Sequence, residues 1–292
     1  MPELPEVETI VRQLDKALKG KVIERVKVLR EISFKGKSKM LVKRKIKGVE
    51  RKAKLVVIRF DDLERVLLIH LKMTGQLVLV KSDPPSPRLR RGEERIVGGH
   101  PTADWVNDLP SKHTRIIINF KDSSKLFFND MRVFGWMKII EEKIWKEELN
   151  KLPTDVIDKT FTLQLFKELL FGSRRAIKLV LMDQKKIGGV GNIYANDGLF
   201  LARIDPKKTA NSLNNNEIER LHKAIKKVIN KGIKMGGASY SDYKDTNGLG
   251  GRYQNHFLVY GREGESCKRC KNKIEKFKLG GRGTYWCQRC QK

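Results

Sequence analysis

The opening residues, MPELPEVETI, gather two prolines and the carboxylates Glu3, Glu6 and Glu8 at the one end of the chain that carries a reactive amine. The rest of the polypeptide has the opposite character, with a formal net charge of +28. A helix start accounts for part of this. Pro5 suits the first helical position, acids favour the first turn, and Ile10, Val11, Leu14 and Leu18 follow at helical spacing. That reading covers Glu6 and Glu8 but leaves Pro2 unexplained.

A second chemical constellation closes the chain. The four cysteines, Cys267, Cys270, Cys287 and Cys290, form two C-x-x-C pairs, the spacing that supplies four thiolates to one tetrahedral structural Zn²⁺. Between the pairs, KFKLGGRGTYW reads as two short strands joined at Gly280-Gly281-Arg282-Gly283, with Arg282 at the tip. A guanidinium there suits phosphate; a solvated turn arginine is the plainer alternative. In GGVGNIYA, glycines run directly into a helical pattern. Free N–H groups at such a start bind anions, and Asn192 is expected to cap the helix and offer its amide to a phosphate. No GK[ST] follows, which excludes a nucleotide-binding P-loop. HLKMTG and NDMRVFGWM set Met73, Arg132 and Phe134 beside cations, as core residues or as wedges for a base stack.

The elements that must position these groups fall into three blocks. KVIERVKV, AKLVVIRF, RVLLIHLKM, GQLVLV, TRIIINF, KLFFND and GWMKII are strand-like, so that a leading helix and a β-sandwich are expected over residues 1–145. Residues 81–112, rich in Pro, Gly and charge and carrying Arg88, Arg90, Arg91 and Arg95, read as a long loop or insertion. Helical spacing dominates residues 158–240, where Ile218, Leu221, Ile225, Val228 and Ile229 share one face. A glycine-dense loop follows, and residues 255–292 form the metal module. The fold class is α+β and multidomain.

Lys and Arg number 62 against 34 Asp and Glu, and the pI is near 10. Such an excess points to a polyanion, nucleic acid first. No apolar run reaches the length of a membrane helix and the acidic start is unlike a signal peptide, so a cytoplasmic chain with no membrane partner is expected.

MPELPEVET, HLKMTG, DMRVFG, LMDQKKIGGVGNIYA, YQNHFLVYGR and CKRC…GRGTYWCQRCQ occur in the order found in the formamidopyrimidine-DNA glycosylases, also called 8-oxoguanine DNA glycosylase/AP lyases. The chain resembles that family from residue 2 to residue 291, the 81–112 segment apart. The related endonuclease VIII group begins PEGPE, and ELPEVE favours the formamidopyrimidine branch.

The resemblance implies a helix-two-turn-helix domain in the helical block and a C-terminal zinc β-hairpin. It implies a bifunctional base-excision repair enzyme that removes 8-oxoguanine and formamidopyrimidines from double-stranded DNA. The enzyme acts as a monomer, bacterial in type and associated with the nucleoid through DNA. Loss of Met1 bares Pro2, whose secondary amine attacks C1′ of the damaged nucleotide. An N-terminal amine titrates near pH 8, roughly two units below lysine, and is partly neutral at pH 7. The resulting iminium keeps its charge and drives β,δ-elimination of the flanking phosphates.

Glu3 matches the proton-moving acid and Glu6 a second acid that orients the site, with a helix first-turn charge as its alternative. Lys54 and His70 resemble phosphate contacts near the lesion. Met73, Arg132 and Phe134 resemble the trio that fills the duplex after base extrusion, Arg132 facing the orphaned cytosine. Asn192 and Arg282 resemble phosphate clamps, and residues 238–252 a lid over the extruded purine. Met131 and Val133 depart from the family's DPRRFG, Asp197 stands where glutamate is usual, and Tyr253 where phenylalanine is common. Two other readings stay open: a non-enzymatic nucleic-acid binder, and an endonuclease VIII-like enzyme acting on oxidised pyrimidines.

Overall fold

A computed structural model of the 292-residue chain describes residues 2–80, 95–99 (backbone only), 109–238 and 251–292. It divides into two compact units. One comprises Met1–Pro2, Glu6–Lys151 and Ala238–Gly251; the other comprises Glu3–Pro5, Leu152–Gly237 and Arg252–Lys292.

The first unit is a β-sandwich with a leading helix. One sheet contains β1 (Ile23–Val28), β8 (Thr114–Phe120), β9 (Lys125–Asp130), β6 (Gly75–Val80) and β7 (Arg95–Gly99), in that order across the sheet. The other runs β2 (Phe34–Lys35), β10 (Trp136–Glu141), β5 (Arg65–His70), β4 (Leu55–Phe60), β3 (Ile46–Lys52). All pairings are antiparallel except β2 with β10. Alternate residues meet in one core: Leu77, Leu79, Ile116, Ile118, Leu126 and Phe128 from the first sheet, Val56, Ile58, Leu67, Ile69, Met137 and Ile139 from the second. Helix α1 (Leu4–Leu18) adds Val7, Ile10, Val11, Leu14 and Leu18 to it. The helix begins at Leu4, so Pro5 is its second residue and not its first; its missing N–H still costs no helical hydrogen bond.

Several elements differ from the sequence reading, the two-residue β2 among them. Strand β3 carries a register shift between Ile46 and Gly48, which puts buried Ile46 and Val49 three apart and hides the period of two. Strand β7 lies inside the segment read as a loop. Only the exposed edge of β6 makes RIVGG a strand, pairing Val80 with Arg95 through Gln76 with Gly99. Helix α2 (Glu142–Lys151) occupies what read as a boundary; Trp145 is its buried residue.

In the second unit, α3 (Leu163–Leu170) is capped by Thr162 and α4 (Ile177–Leu181) follows. Helices α5 (Asn192–Ala202) and α6 (Asn215–Lys234) approach closely, since a Cβ on Gly198 would lie 2.3 Å from Cδ1 of Ile225. Asn214 and Glu217 form a capping box at the start of α6, and its predicted apolar face is buried. The chain closes with the hairpin β11 (Glu275–Leu279) and β12 (Arg282–Trp286). Its two-residue turn, Gly280–Gly281, takes positive φ at both positions, the geometry that matches strand twist. No helix among the described residues is long and apolar enough to cross a membrane. Most of the predicted lid, residues 239–250, and most of the insertion lie outside the described residues.

Candidate active site and nucleic-acid interface

The three N-terminal glutamates have three different partners. Glu3, only 3% exposed, lays its carboxylate on the start of α5: Oε1 accepts the N–H of Ile193 at 2.9 Å and Oε2 that of Tyr194 at 3.4 Å. The next residue is also tied down, Leu4 N–H donating to the Gly189 carbonyl at 3.1 Å. Glu6 accepts the N–H of Ala238 at 2.7 Å. Glu8 lies between the Nε atoms of Arg51 at 2.7 Å and Arg12 at 2.8 Å; burial pushes its carboxyl up, but the two guanidiniums outweigh it and hold it below the usual range. Pro2 is buried.

Two of the free N–H groups predicted at GGVGNIYA, those of Ile193 and Tyr194, are therefore taken by the chain's own Glu3. Asn192 does not cap α5. The N-cap is Gly191, and Asn192 donates its amide to the carbonyl of Gly283 at 3.1 Å. Oriented N–H groups at a helix start favour an anion of any source, and sequence alone cannot tell a nearby ligand from a carboxylate far along the chain.

Lys54 is buried in the turn between β3 and β4, after Ala53 in a left-handed conformation (φ 50°). His70 ends β5. Burial, then the charges of Lys72 and Lys54, lower its pKa to about 3. Its Nδ1 accepts the N–H of Lys72 at 3.0 Å, which assigns the remaining proton to Nε2. At neutral pH His70 offers one uncharged donor.

Met73, Arg132 and Phe134 sit on two turns that a single carboxylate joins. Asp130, fully buried at the end of β9, accepts the Thr74 hydroxyl and the Arg132 N–H (3.2 Å) on Oδ1, and the Gly135 N–H (2.6 Å) on Oδ2. Above this knot Met73 is half-buried, Phe134 is 53% exposed, and the exposed Arg132 guanidinium stacks 4.8 Å from the Phe134 ring centre. An exposed phenylalanine backed by a cation suits contact with a base stack. Sequence reasoning missed Asp130 as an organiser. The signal available was an acid placed directly between an apolar strand and a turn.

Lys178, in α4, was missed as well. It is fully buried and donates to the Gly283 carbonyl at 2.9 Å and the Thr284 hydroxyl at 2.7 Å. Burial drives its pKa down to about 7; Glu3 raises it and Arg282 lowers it further. With Asn192 on the same carbonyl, two side chains anchor the strand just beyond Arg282, which is itself exposed. Asp197 organises the segment after the predicted lid. It accepts the N–H groups of Leu258, Val259 and Tyr260 and the hydroxyl of Tyr253.

The four cysteine sulfurs lie within 4.8 Å of one another, with Cys267 to Cys290 at 3.9 Å and Cys270 to Cys287 at 3.4 Å. Tetrahedral zinc with sulfur at about 2.3 Å requires sulfur–sulfur edges of roughly 3.8 Å, so the cluster fits one structural Zn²⁺. The four sulfurs fill its coordination shell, and the ion's part is to hold the hairpin folded.

The chain is similar to known proteins over its whole length. The domain described as "Formamidopyrimidine-DNA glycosylase N-terminal domain" matches residues 1–137, "Formamidopyrimidine-DNA glycosylase H2TH domain" residues 152–244, and "Zinc finger found in FPG and IleRS" residues 264–292. The formamidopyrimidine-DNA glycosylase of Pelotomaculum thermopropionicum is 36% identical over 299 residues, covering 100% of this chain and 99% of its own. That of Brevibacillus brevis is 37% identical over 305 residues, with the same coverage. Among solved structures, Lactococcus lactis Fpg (MutM) bound to DNA containing N7-benzyl-Fapy-dG is similar with a TM-score of 0.84 at 32% identity, covering 99% of each chain. The same protein has been solved with DNA containing an oxidised pyrimidine, with a TM-score of 0.83.

Proposed function

The chain belongs to the formamidopyrimidine-DNA glycosylase family, and from that premise we propose that it is a bifunctional base-excision repair enzyme. It removes oxidised purines, 8-oxoguanine and formamidopyrimidines, from double-stranded DNA and cuts the strand at the abasic site. Pro2, freed of Met1, attacks C1′ as the base departs with the glycosidic electrons. The N–H proton released as the iminium forms passes by way of Glu3 to the sugar ring oxygen, and the ring opens. The iminium then draws electrons through successive C–H losses that expel the 3′ and the 5′ phosphate.

Glu6, through Ala238, anchors one end of the lid. Lys54 and His70 bind phosphate beside the lesion, while Asn192 and Arg282 clamp the backbone. Met73, Arg132 and Phe134 fill the space that the extruded nucleotide leaves. The four cysteines hold zinc, and no nucleotide or redox cofactor takes part. The protein works as a monomer on DNA in the cytoplasm.

The observation that carries this reading is the seat of Glu3 on α5. It fixes a carboxylate one peptide bond from Pro2, an arrangement that a protein serving only to bind DNA does not need. Borohydride trapping on abasic-site DNA tests it. The wild type is expected to form a covalent adduct and Pro2→Gly to form none; equal trapping by both refutes the proline mechanism. The oxidised-pyrimidine complex of the Lactococcus lactis relative supports a second reading of the substrate. Excision rates on 8-oxoguanine and thymine glycol duplexes decide between them.

A further inference from the structure

Gly191 has an extended backbone, φ −132° and ψ −160°, which any amino acid adopts. The usual reason for a glycine, freedom at positive φ, does not apply here. Its surroundings supply another reason. A Cβ built on Gly191 would lie 2.2 Å from Cδ of Glu3, 2.5 Å from its Oε1 and 2.6 Å from its Cγ, and these three are the nearest atoms. Carbon atoms in contact settle at about 3.5–4.0 Å. The three nearest obstacles to a side chain at residue 191 thus all belong to one residue, Glu3.

We propose that Gly191 is a positioning residue for base excision: the absence of its side chain is what admits the Glu3 carboxylate to the N–H groups of Ile193 and Tyr194. The inference rests on the enzymatic reading above and deepens it. Glu3 cannot retreat and keep both bonds, because Ile193 and Tyr194 belong to the first turn of α5 and Leu4 is held by the Gly189 carbonyl. Any side chain at 191 therefore displaces the carboxylate from its seat. Proton transfer at the sugar depends on that seat, and an error of about 1 Å in a reacting group costs on the order of 100-fold in rate.

A mutant cycle tests this in the full-length protein. Single-turnover excision of 8-oxoguanine and the melting temperature are measured for the wild type, Gly191→Ala, Glu3→Ala and the double variant. Gly191→Ala is expected to lose on the order of 100-fold in excision and to melt below wild type. In the Glu3→Ala background the space is open, so adding Gly191→Ala is expected to change neither quantity further. Wild-type excision by Gly191→Ala, or an equal drop in melting temperature in both backgrounds, overturns the proposal. Should Gly191→Ala alone fail to fold, a folded double variant upholds the coupling and an unfolded one overturns it. The melting arm needs no turnover. A wild type that forms no adduct with abasic-site DNA therefore refutes the enzymatic reading separately.

Discussion

The hydroxyl of Tyr253 donates to Oδ2 of Asp197 at 3.1 Å, and both residues are completely or almost completely buried. These are two of the positions that the sequence reading set apart from the residues usual in the resembled family, and here they meet. An aspartate is one methylene shorter than a glutamate, and a tyrosine adds one hydroxyl to a phenylalanine. The same carboxylate takes the N–H groups of Leu258, Val259 and Tyr260. Burial raises its pKa and the donors oppose this; since every contact is a donor, the site is built for the ionised form. Tyr253→Phe is expected to cost about 1–2 kcal/mol and Asp197→Asn about 3 kcal/mol, because the amide sets its own N–H groups against donors. Urea denaturation measures both, and equal stabilities of wild type and Asp197→Asn contradict the assignment.

Asp130 holds the turns that carry Met73, Arg132 and Phe134. In Asp130→Asn, either orientation of the amide turns an NH₂ toward a donor: the Gly135 N–H, or the Arg132 N–H and Thr74 hydroxyl. Excision of a lesion paired in duplex DNA is expected to fall about tenfold or more, in line with a loss of 1.4 kcal/mol or more in a charged hydrogen-bond network. Excision of the same lesion from single-stranded DNA, where no void needs filling, is expected to fall less. Parallel single-turnover assays on the two substrates check the difference, and equal losses argue for a general folding defect.

Lys178 makes stability depend on pH with a definite sign. Its pKa is lowered to about 7 in the folded chain, against an ordinary value of 10.5. Between these values the unfolded chain binds the extra proton, so stability from this residue rises as pH rises from about 7 toward 10.5 and is lost as pH falls through 7. Lys178→Met removes the charge but keeps most of the volume. The melting temperature of the wild type relative to this variant is expected to climb from pH 6 to pH 9. A pH-independent difference indicates a lysine that stays charged throughout.

The zinc hairpin carries Arg282, and its contribution to DNA binding should be separable. Arg282→Ala is expected to weaken binding uniformly across sequences and to reduce the slope of log affinity against log salt by about one unit. Cys287→Ser is expected to release zinc and lower affinity further, because metal binding supplies much of this module's folding energy. Binding titrations at several salt concentrations, with zinc content measured on the same samples, check both. Affinity unchanged by zinc loss contradicts the interface.

The parts of this molecule that were legible beforehand are those with a short period or a fixed spacing. The α6 face, the short apolar runs of β4 to β6 and the two C-x-x-C pairs are local patterns, set by 3.6 residues per turn, the length of a buried strand and the reach of a thiolate. Where a pattern was interrupted, as by the bulge in β3, or absent, as in β7, the strand was invisible until a neighbour supplied its hydrogen bonds.

Residue types and their order along the chain were enough to establish a basic protein with an N-terminal Pro-Glu pair and a four-thiolate zinc hairpin, and to mark its resemblance to a repair family. Which partner each polar group takes was decided only in three dimensions. Glu3 occupies a helix start 190 positions away, Asn192 and Lys178 share the carbonyl of Gly283, and Asp130 ties two turns together. The reason is physical. A buried charge must find donors or acceptors wherever folding brings them, and hydrogen bonds across such separations leave no periodic trace in a linear sequence.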